Sequence, residues 1–158
     1  GISGARFKDY CQTEYFFDQL KLLNADLVII SLGTNESYSS KYTDDEFMLY
    51  VNLFLSKLKT AFPKTDVILT CPSENYHIKK KIPIENSKII NVNSILRKVA
   101  KEKKYAIWDL YKVMGGKGSM KQWKAQGLVN NDYVHFLRAG YKLQGYLLAN
   151  ALINFIEN

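Results

Sequence analysis

The chain has 158 residues, 47% hydrophobic, 13% aromatic and 23% charged. That suffices for one buried core and excludes disordered, collagen-like and low-complexity architectures. No apolar run approaches the roughly 20 residues of a membrane helix, so no membrane span is expected, and two cysteines are too few for a disulfide scaffold. The net charge of +7 comes from 22 Lys and Arg against 15 Asp and Glu, with Arg6, Arg97 and Arg138 the only arginines. Nucleic-acid readers favour arginine forks alternating with aromatics. The lysines instead gather at Lys79 to Lys81 and from Arg97 to Lys104, which reads as a solvated surface with no nucleic-acid partner. The sequence opens at Gly1 without a methionine or a signal-like segment, which points to a removed leader or to a piece of a longer protein.

In chain order, a helix is predicted from about Phe7 to Leu23. The apolar run Asp26 to Leu32 (DLVIISL) follows as a strand. Thr43-Asp44-Asp45-Glu46 is a capping box, Thr and Glu satisfying each other's free backbone donors. It opens a helix to about Phe62, stopped by Pro63, with Phe47, Tyr50, Val51, Phe54, Leu55 and Leu58 on one face. The run Asp66 to Cys71 (DVILTC) is a second strand. A helix from about Ser87 to Lys104 follows, with Ile90, Ile95, Leu96 and Val99 inward. Tyr105 to Leu110 (YAIWDL) is a third strand, and a last helix begins after His135 and runs almost to the end. The strands are nearly continuous in apolar residues instead of alternating, as in a parallel sheet covered on both faces. Strands alternating with helices predict right-handed crossovers in an α/β domain spanning residues 1–158.

Ligands in such sheets sit beyond the carboxyl ends of the strands. After the first strand comes Gly33-Thr34-Asn35-Glu36. The glycine allows a sharp turn, and Asn35 then offers a neutral amide donor at the sheet's carboxyl edge. Such a donor suits a developing oxyanion, although from these four residues alone a turn in which Asn35 only caps the backbone is the plainer reading. Asp132-Tyr133-Val134-His135 stands just before the last helix. An Asp three residues ahead of a His can hold the Nδ1 proton and leave Nε2 to accept one, and the plainer reading is a surface pair. Gly1-Ile2-Ser3-Gly4-Ala5 places small residues where backbone N–H groups can approach a ligand. His77 sits in a lysine-rich loop and reads as surface. Cys71 has no base partner and reads as a buried structural thiol. Core packing is the better reading of Trp108 and Trp123. Gly115-Gly116-Lys117-Gly118-Ser119 is not a P-loop, because Gly118 separates Lys117 from Ser119.

Taken together, G-I-S-G, then S-L-G-T-N-E after a buried strand, then D-x-x-H before a final helix resemble blocks II, III and V of the SGNH (GDSL-type) esterase family. The stretch Met114 to Tyr141 is similar to the branch of bacterial polysaccharide and peptidoglycan O-acetylesterases. The resemblance implies a three-layer α/β/α flavodoxin-like fold with a parallel sheet in the order 2-1-3-4-5. It implies His135 as general base and then acid, and Asp132 as its orienter. Gly4, through its backbone N–H, and Asn35, through its side chain, become oxyanion-hole donors. Glu36 stands where many relatives have Asp and supports the loop, while Ser73 and Asn75 in the block IV segment line the substrate cleft. No metal or organic cofactor is implied. Leu137 replaces the small hydroxyl residue common after His-Phe in this branch.

One block is absent. No G-D-S motif is present, and neither Ser3, Ser31 nor Ser119 stands on a tight strand-to-helix turn beside a base. Only the last three of five strands are present, so the first two, with the serine, are expected from preceding polypeptide docked on the edge of the first strand. The implied activity is that of a serine esterase on an acylated carbohydrate or other ester, located in the periplasm or outside the cell. The rival readings are a non-catalytic carbohydrate-binding or scaffold protein of the same fold, and a lipid esterase or thioesterase.

Overall fold

A computed structural model describes residues 3–13 and 15–157. In chain order its elements are α1 (Phe7–Gln12), α2 (Phe16–Lys21), β1 (Leu27–Ile30), α3 (Thr34–Tyr38), α4 (Asp44–Ala61), β2 (Asp66–Cys71), β3 (Tyr76–Lys79), β4 (Ile82–Glu85), α5 (Lys88–Lys103), β5 (Ala106–Asp109), α6 (Leu110–Val113), α7 (Ser119–Ala125) and α8 (Arg138–Glu157). They fall into two compact units, Gly1–Pro72 with Ser87–Tyr111, and Ser73–Asn86 with Lys112–Asn158. Among the described residues no helix is long and apolar enough to cross a membrane.

The first unit is built on a parallel sheet in the order β1-β2-β5, which bears out the α/β expectation. Leu27 to Ile30 lie opposite Asp66 to Leu69, and Ile68 to Cys71 lie opposite Ala106 to Asp109. β2, in the middle, is buried at every residue after Asp66, hence its nearly continuous apolar run. Among the described residues β1 pairs with β2 alone, and its Leu27 and Ile29 are 41% and 42% exposed. Ile30, Val67, Leu69 and Cys71 pack with Phe47, Val51, Phe54, Leu55 and Leu58 of α4 and with Ile89, Val92, Ile95, Leu96 and Val99 of α5.

Several expectations in this unit need correction. Ile90 is 42% exposed, and the inward stripe runs instead through Ile89 and Val92. A helix turns about 100° per residue, so one position decides the face. The first helix is two, because Thr13 is extended (φ −81°, ψ 116°). That break lets Phe16 and Phe17 fold back onto Phe54, with ring centroids 6.1 and 5.4 Å from it. Only half of the capping box forms. Thr43 Oγ1 accepts the Glu46 N–H at 3.2 Å, while the Glu46 carboxylate pairs with Lys8 Nζ at 2.9 Å.

The second unit contains an antiparallel hairpin, β3 with β4, running from Tyr76 opposite Glu85 to Lys79 opposite Ile82. His77 therefore lies in a strand, not in a loop. The sequence hides the turn, because Lys80 and Lys81 take its left-handed positions (φ 49° and 65°) where Asn-Gly is usual. α7 begins at Ser119, after Gly118 (φ 85°). Trp123 is 9% exposed and packs edge-on against Phe136 at 5.8 Å, a core position as expected. At the start of α8, Gly140 presses on the Leu128 carbonyl, and a Cβ there would stand 2.2 Å from that oxygen.

Candidate functional site

In the first unit, β1 ends in a turn that only glycine fits. Gly33 has φ 117°, and a Cβ on it would stand 2.9 Å from Val92 Cγ1 and 3.2 Å from Pro72 Cγ. The turn starts α3 at Thr34 and sends the next two side chains back to the segment before α1. Asn35 Nδ2 donates to the Ala5 carbonyl at 2.9 Å, and Glu36 Oε1 accepts the Phe7 N–H at 2.7 Å. The two stretches that sequence reading picked out separately, around Gly4 and around Asn35, are therefore stitched together. Gly4 is exposed with φ 76°. Asn35 is exposed too, and its second amide N–H has no partner among the described residues.

Glu36 is 8% exposed, and its Oε2 has no hydrogen-bond partner among the described residues. Burial pushes its carboxyl above the ordinary value, against the pull of the Phe7, Glu36 and Gly33 amides. Cys71 is fully buried, with Sγ 3.8 Å from the Asn93 carbonyl, as a structural thiol should be.

In the second unit, residues 129 to 136 form a closed turn. Val129 bridges Phe136, and the Asn130 N–H donates to the His135 carbonyl at 2.8 Å. Asp132 is its hub. Oδ1 accepts the Val134 and His135 N–H groups, both at 2.9 Å, and Oδ2 lies 2.8 Å from His135 Nδ1. The imidazole thus has its Nδ1 side engaged, while the side chain is 69% exposed. Burial alone would raise the Asp132 carboxyl, but the His135 amide, the imidazole and the Val134 amide outweigh it and hold it below the ordinary range.

Ser73 and Asn75 are 8% and 1% exposed. Asn75 Nδ2 donates to the Ser73 carbonyl at 3.4 Å, and its Oδ1 accepts Asn86 Nδ2 at 2.8 Å. Both residues thus sit at the root of the hairpin. Sequence reading missed their neighbour Glu74, which is 1% exposed. Glu74 Oε1 accepts the Gly118 N–H at 2.7 Å and the Tyr76 hydroxyl at 3.1 Å, and Oε2 accepts the Met120 N–H at 2.9 Å. A carboxylate at a helix start with free amides is favourable, and the glycine-rich run before Ser119 was the available signal.

The profile of the GDSL-like lipase/acylhydrolase family matches residues 1–143. The chain belongs to this family. Among solved structures it is similar to a peptidoglycan O-acetylesterase, at 25% identity and a TM-score of 0.90, covering 99% of this chain and 45% of that one. A GDSL-like lipase from Bacteroides thetaiotaomicron matches at 23% identity and TM-score 0.75, covering 98% of this chain and 74% of that one. A carbohydrate esterase of family 3 from Talaromyces cellulolyticus matches at 17% identity and TM-score 0.72, covering 99% and 70%. The chain thus spans less than half the length of the first of these relatives. No curated protein sequence matches it significantly.

Proposed function

We propose that this GDSL-family chain carries the base, its orienter and two oxyanion donors of a serine esterase that removes acyl groups from a carbohydrate. The observation that carries the reading is the Asp132–His135 pair, with Nδ1 held at 2.8 Å. A carboxylate on Nδ1 fixes the tautomer in which Nε2 accepts a proton. In the reaction, His135 Nε2 takes the proton of a serine hydroxyl as its oxygen bonds to the ester carbon. The resulting oxyanion is held by the Gly4 N–H, the second Asn35 N–H and the serine's own N–H. Collapse expels the sugar oxygen, which takes the proton back from His135. Water then repeats the sequence and releases the carboxylate.

The serine itself comes from polypeptide preceding this chain, together with two strands that extend the sheet. What supports this is β1, which has β2 as its one partner among the described residues and leaves Leu27 and Ile29 in solvent. An open apolar edge of this kind is otherwise a template for aggregation. Two structural neighbours, a peptidoglycan O-acetylesterase and an acetyl xylan esterase, favour an acetylated glycan and a site of action in the periplasm or outside the cell.

The test uses the full-length protein. Turnover of p-nitrophenyl acetate should fall by about 10³-fold or more in His135→Ala, and a serine-reactive fluorophosphonate should label one residue upstream of Gly1. Activity surviving nearly intact in His135→Ala, or labelling of Ser3, Ser31 or Ser119, refutes the assignment. Failure of the full-length protein to cleave any ester favours a scaffold of the same fold.

A further inference from the structure

The charge of the chain is not evenly spread. The second unit holds nine of the 22 basic residues and only four of the 15 acidic ones. Three of those four acids are engaged. Glu74 is buried on backbone amides, Glu85 Oε2 pairs with Lys117 Nζ at 3.3 Å, and Asp132 holds His135. The fourth, Glu157, closes α8.

Five of the lysines lie on the hairpin and on α7, two elements that meet the turn carrying the candidate base. Lys79, Lys80 and Lys81 are exposed at the hairpin tip, two of them in left-handed backbone that a lysine adopts less readily than glycine. Strain kept at a turn where Asn-Gly would relieve it points to a use for the side chains. The root of the hairpin is fastened to the 129–136 turn: the Tyr76 N–H donates to the Tyr133 carbonyl at 3.3 Å, and their rings lie 5.7 Å apart. Lys121 Nζ stands 5.1 Å from the Tyr76 ring, and Lys124 Nζ donates to Asn131 Oδ1 at 2.7 Å, inside that same turn. Cations are thus carried beside the turn that holds the Asp132–His135 pair, by Lys121 and Lys124, and at the far tip of the hairpin whose root is braced against it.

We infer that this lysine-bearing hairpin and the neighbouring α7 lysines form a docking surface for a polyanionic glycan, so that the ester cleaved is carried on a chain bearing carboxylates or phosphates. The inference rests on the esterase reading for its consequence but not for its binding test. Lysine suits this partner better than a nucleic acid, because diffuse point charges track an anionic chain without the arginine forks and stacking aromatics that bases require.

The experiment uses the full-length protein with three substrates: O-acetylated polygalacturonate, neutral O-acetylated xylan and p-nitrophenyl acetate. Between about 20 and about 300 mM NaCl, kcat/KM on the anionic polymer should fall about tenfold as screening shortens the reach of the lysines, and on the two neutral esters less than about twofold. The triple substitution Lys79→Gln, Lys80→Gln, Lys81→Gln should lower the ratio of anionic-polymer to neutral-xylan kcat/KM by about fivefold or more and flatten its salt dependence. A charge-matched control in the first unit, Lys59→Gln, Lys101→Gln, Lys103→Gln, should keep both. Equal salt dependence on the neutral and anionic polymers, or equal effects of the two triple variants, overturns the inference.

Binding is measured separately with de-esterified polygalacturonate and with a glycerol-phosphate polymer, which assigns the anion as carboxylate or phosphate. Binding of neither overturns the proposal, as does stronger competition by single-stranded RNA than by either polymer at equal charge. Loss of all ester turnover with polymer binding intact refutes the esterase reading alone.

Discussion

Replacing Asp132 separates the two tasks that its carboxylate performs. Oδ1 holds the Val134 and His135 amides at 2.9 Å, and Oδ2 holds the imidazole at 2.8 Å. Asp132→Asn keeps an oxygen for the amides but turns an NH2 toward Nδ1. The imidazole must then accept at Nδ1 and carry its proton on Nε2, where it cannot take one from serine. The fold should lose only about 0.5–1 kcal/mol, as charge-assisted bonds become neutral ones, whereas esterase kcat should fall by about 10³- to 10⁴-fold, or 4–5.5 kcal/mol. Asp132→Ala should lose as much activity and, with the part-buried Val134 N–H stranded beside Tyr133 (φ 56°) while the exposed His135 N–H turns to water, about 1–2 kcal/mol of stability. The assays are p-nitrophenyl acetate kinetics and urea unfolding, both on the full-length protein. Asp132→Asn with more than about a tenth of parental kcat, far above the loss expected for a reversed tautomer, would refute the reasoning. So would an Ala variant no less stable than the Asn variant.

Glu36 and Asp132, perturbed in opposite directions, predict opposite pH signatures. Glu36 binds its proton more tightly in the native state, so native stability falls as pH rises from the ordinary value of 4.5 through its raised value. Glu36→Gln, which keeps the acceptor for Phe7, should be at least as stable as the parent at pH 7, with the difference vanishing as pH drops below 4.5 in denaturation curves. Asp132 contributes stability above its ordinary 3.8 that is lost as pH falls through its lowered value, and Asp132→Asn should lack that acid-limb loss. Gly33→Ala should cost about 2–4 kcal/mol, combining positive φ with a clash on Val92, whereas Gly118→Ala, with nothing near its Cβ, should cost about 1 kcal/mol. Leu137, whose carbonyl accepts the Tyr141 N–H at 3.0 Å, sits at the start of α8, 42% exposed. Leu137→Ser should therefore gain about 0.5–1 kcal/mol as a helix cap, read as a rise in Tm.

What could be read in advance was whatever is written in short range. Continuous apolar runs reported β1, β2 and β5, because a parallel sheet leaves its strands no polar face to show. Helical periodicity located α4 and α5 to within a residue or two, since their inward faces repeat with the turn of the helix. The Asp132–His135 pair was legible because three residues of one tight turn bring the groups together without help from elsewhere. Tertiary structure alone decided the rest. Asn35 meets Ala5 across 30 positions, Glu36 meets Phe7 across 29 and Glu74 meets Gly118 across 44. Such contacts leave no trace in local periodicity, because a single acid or amide reads the same whether it ends in solvent or on a buried amide. The hairpin escaped notice for the converse reason, as lysines occupy the turn where the backbone favours Asn-Gly. The break of the first helix at Thr13 goes with packing too, because it brings Phe16 and Phe17 onto the same Phe54 ring that Phe7 and Tyr10 already meet.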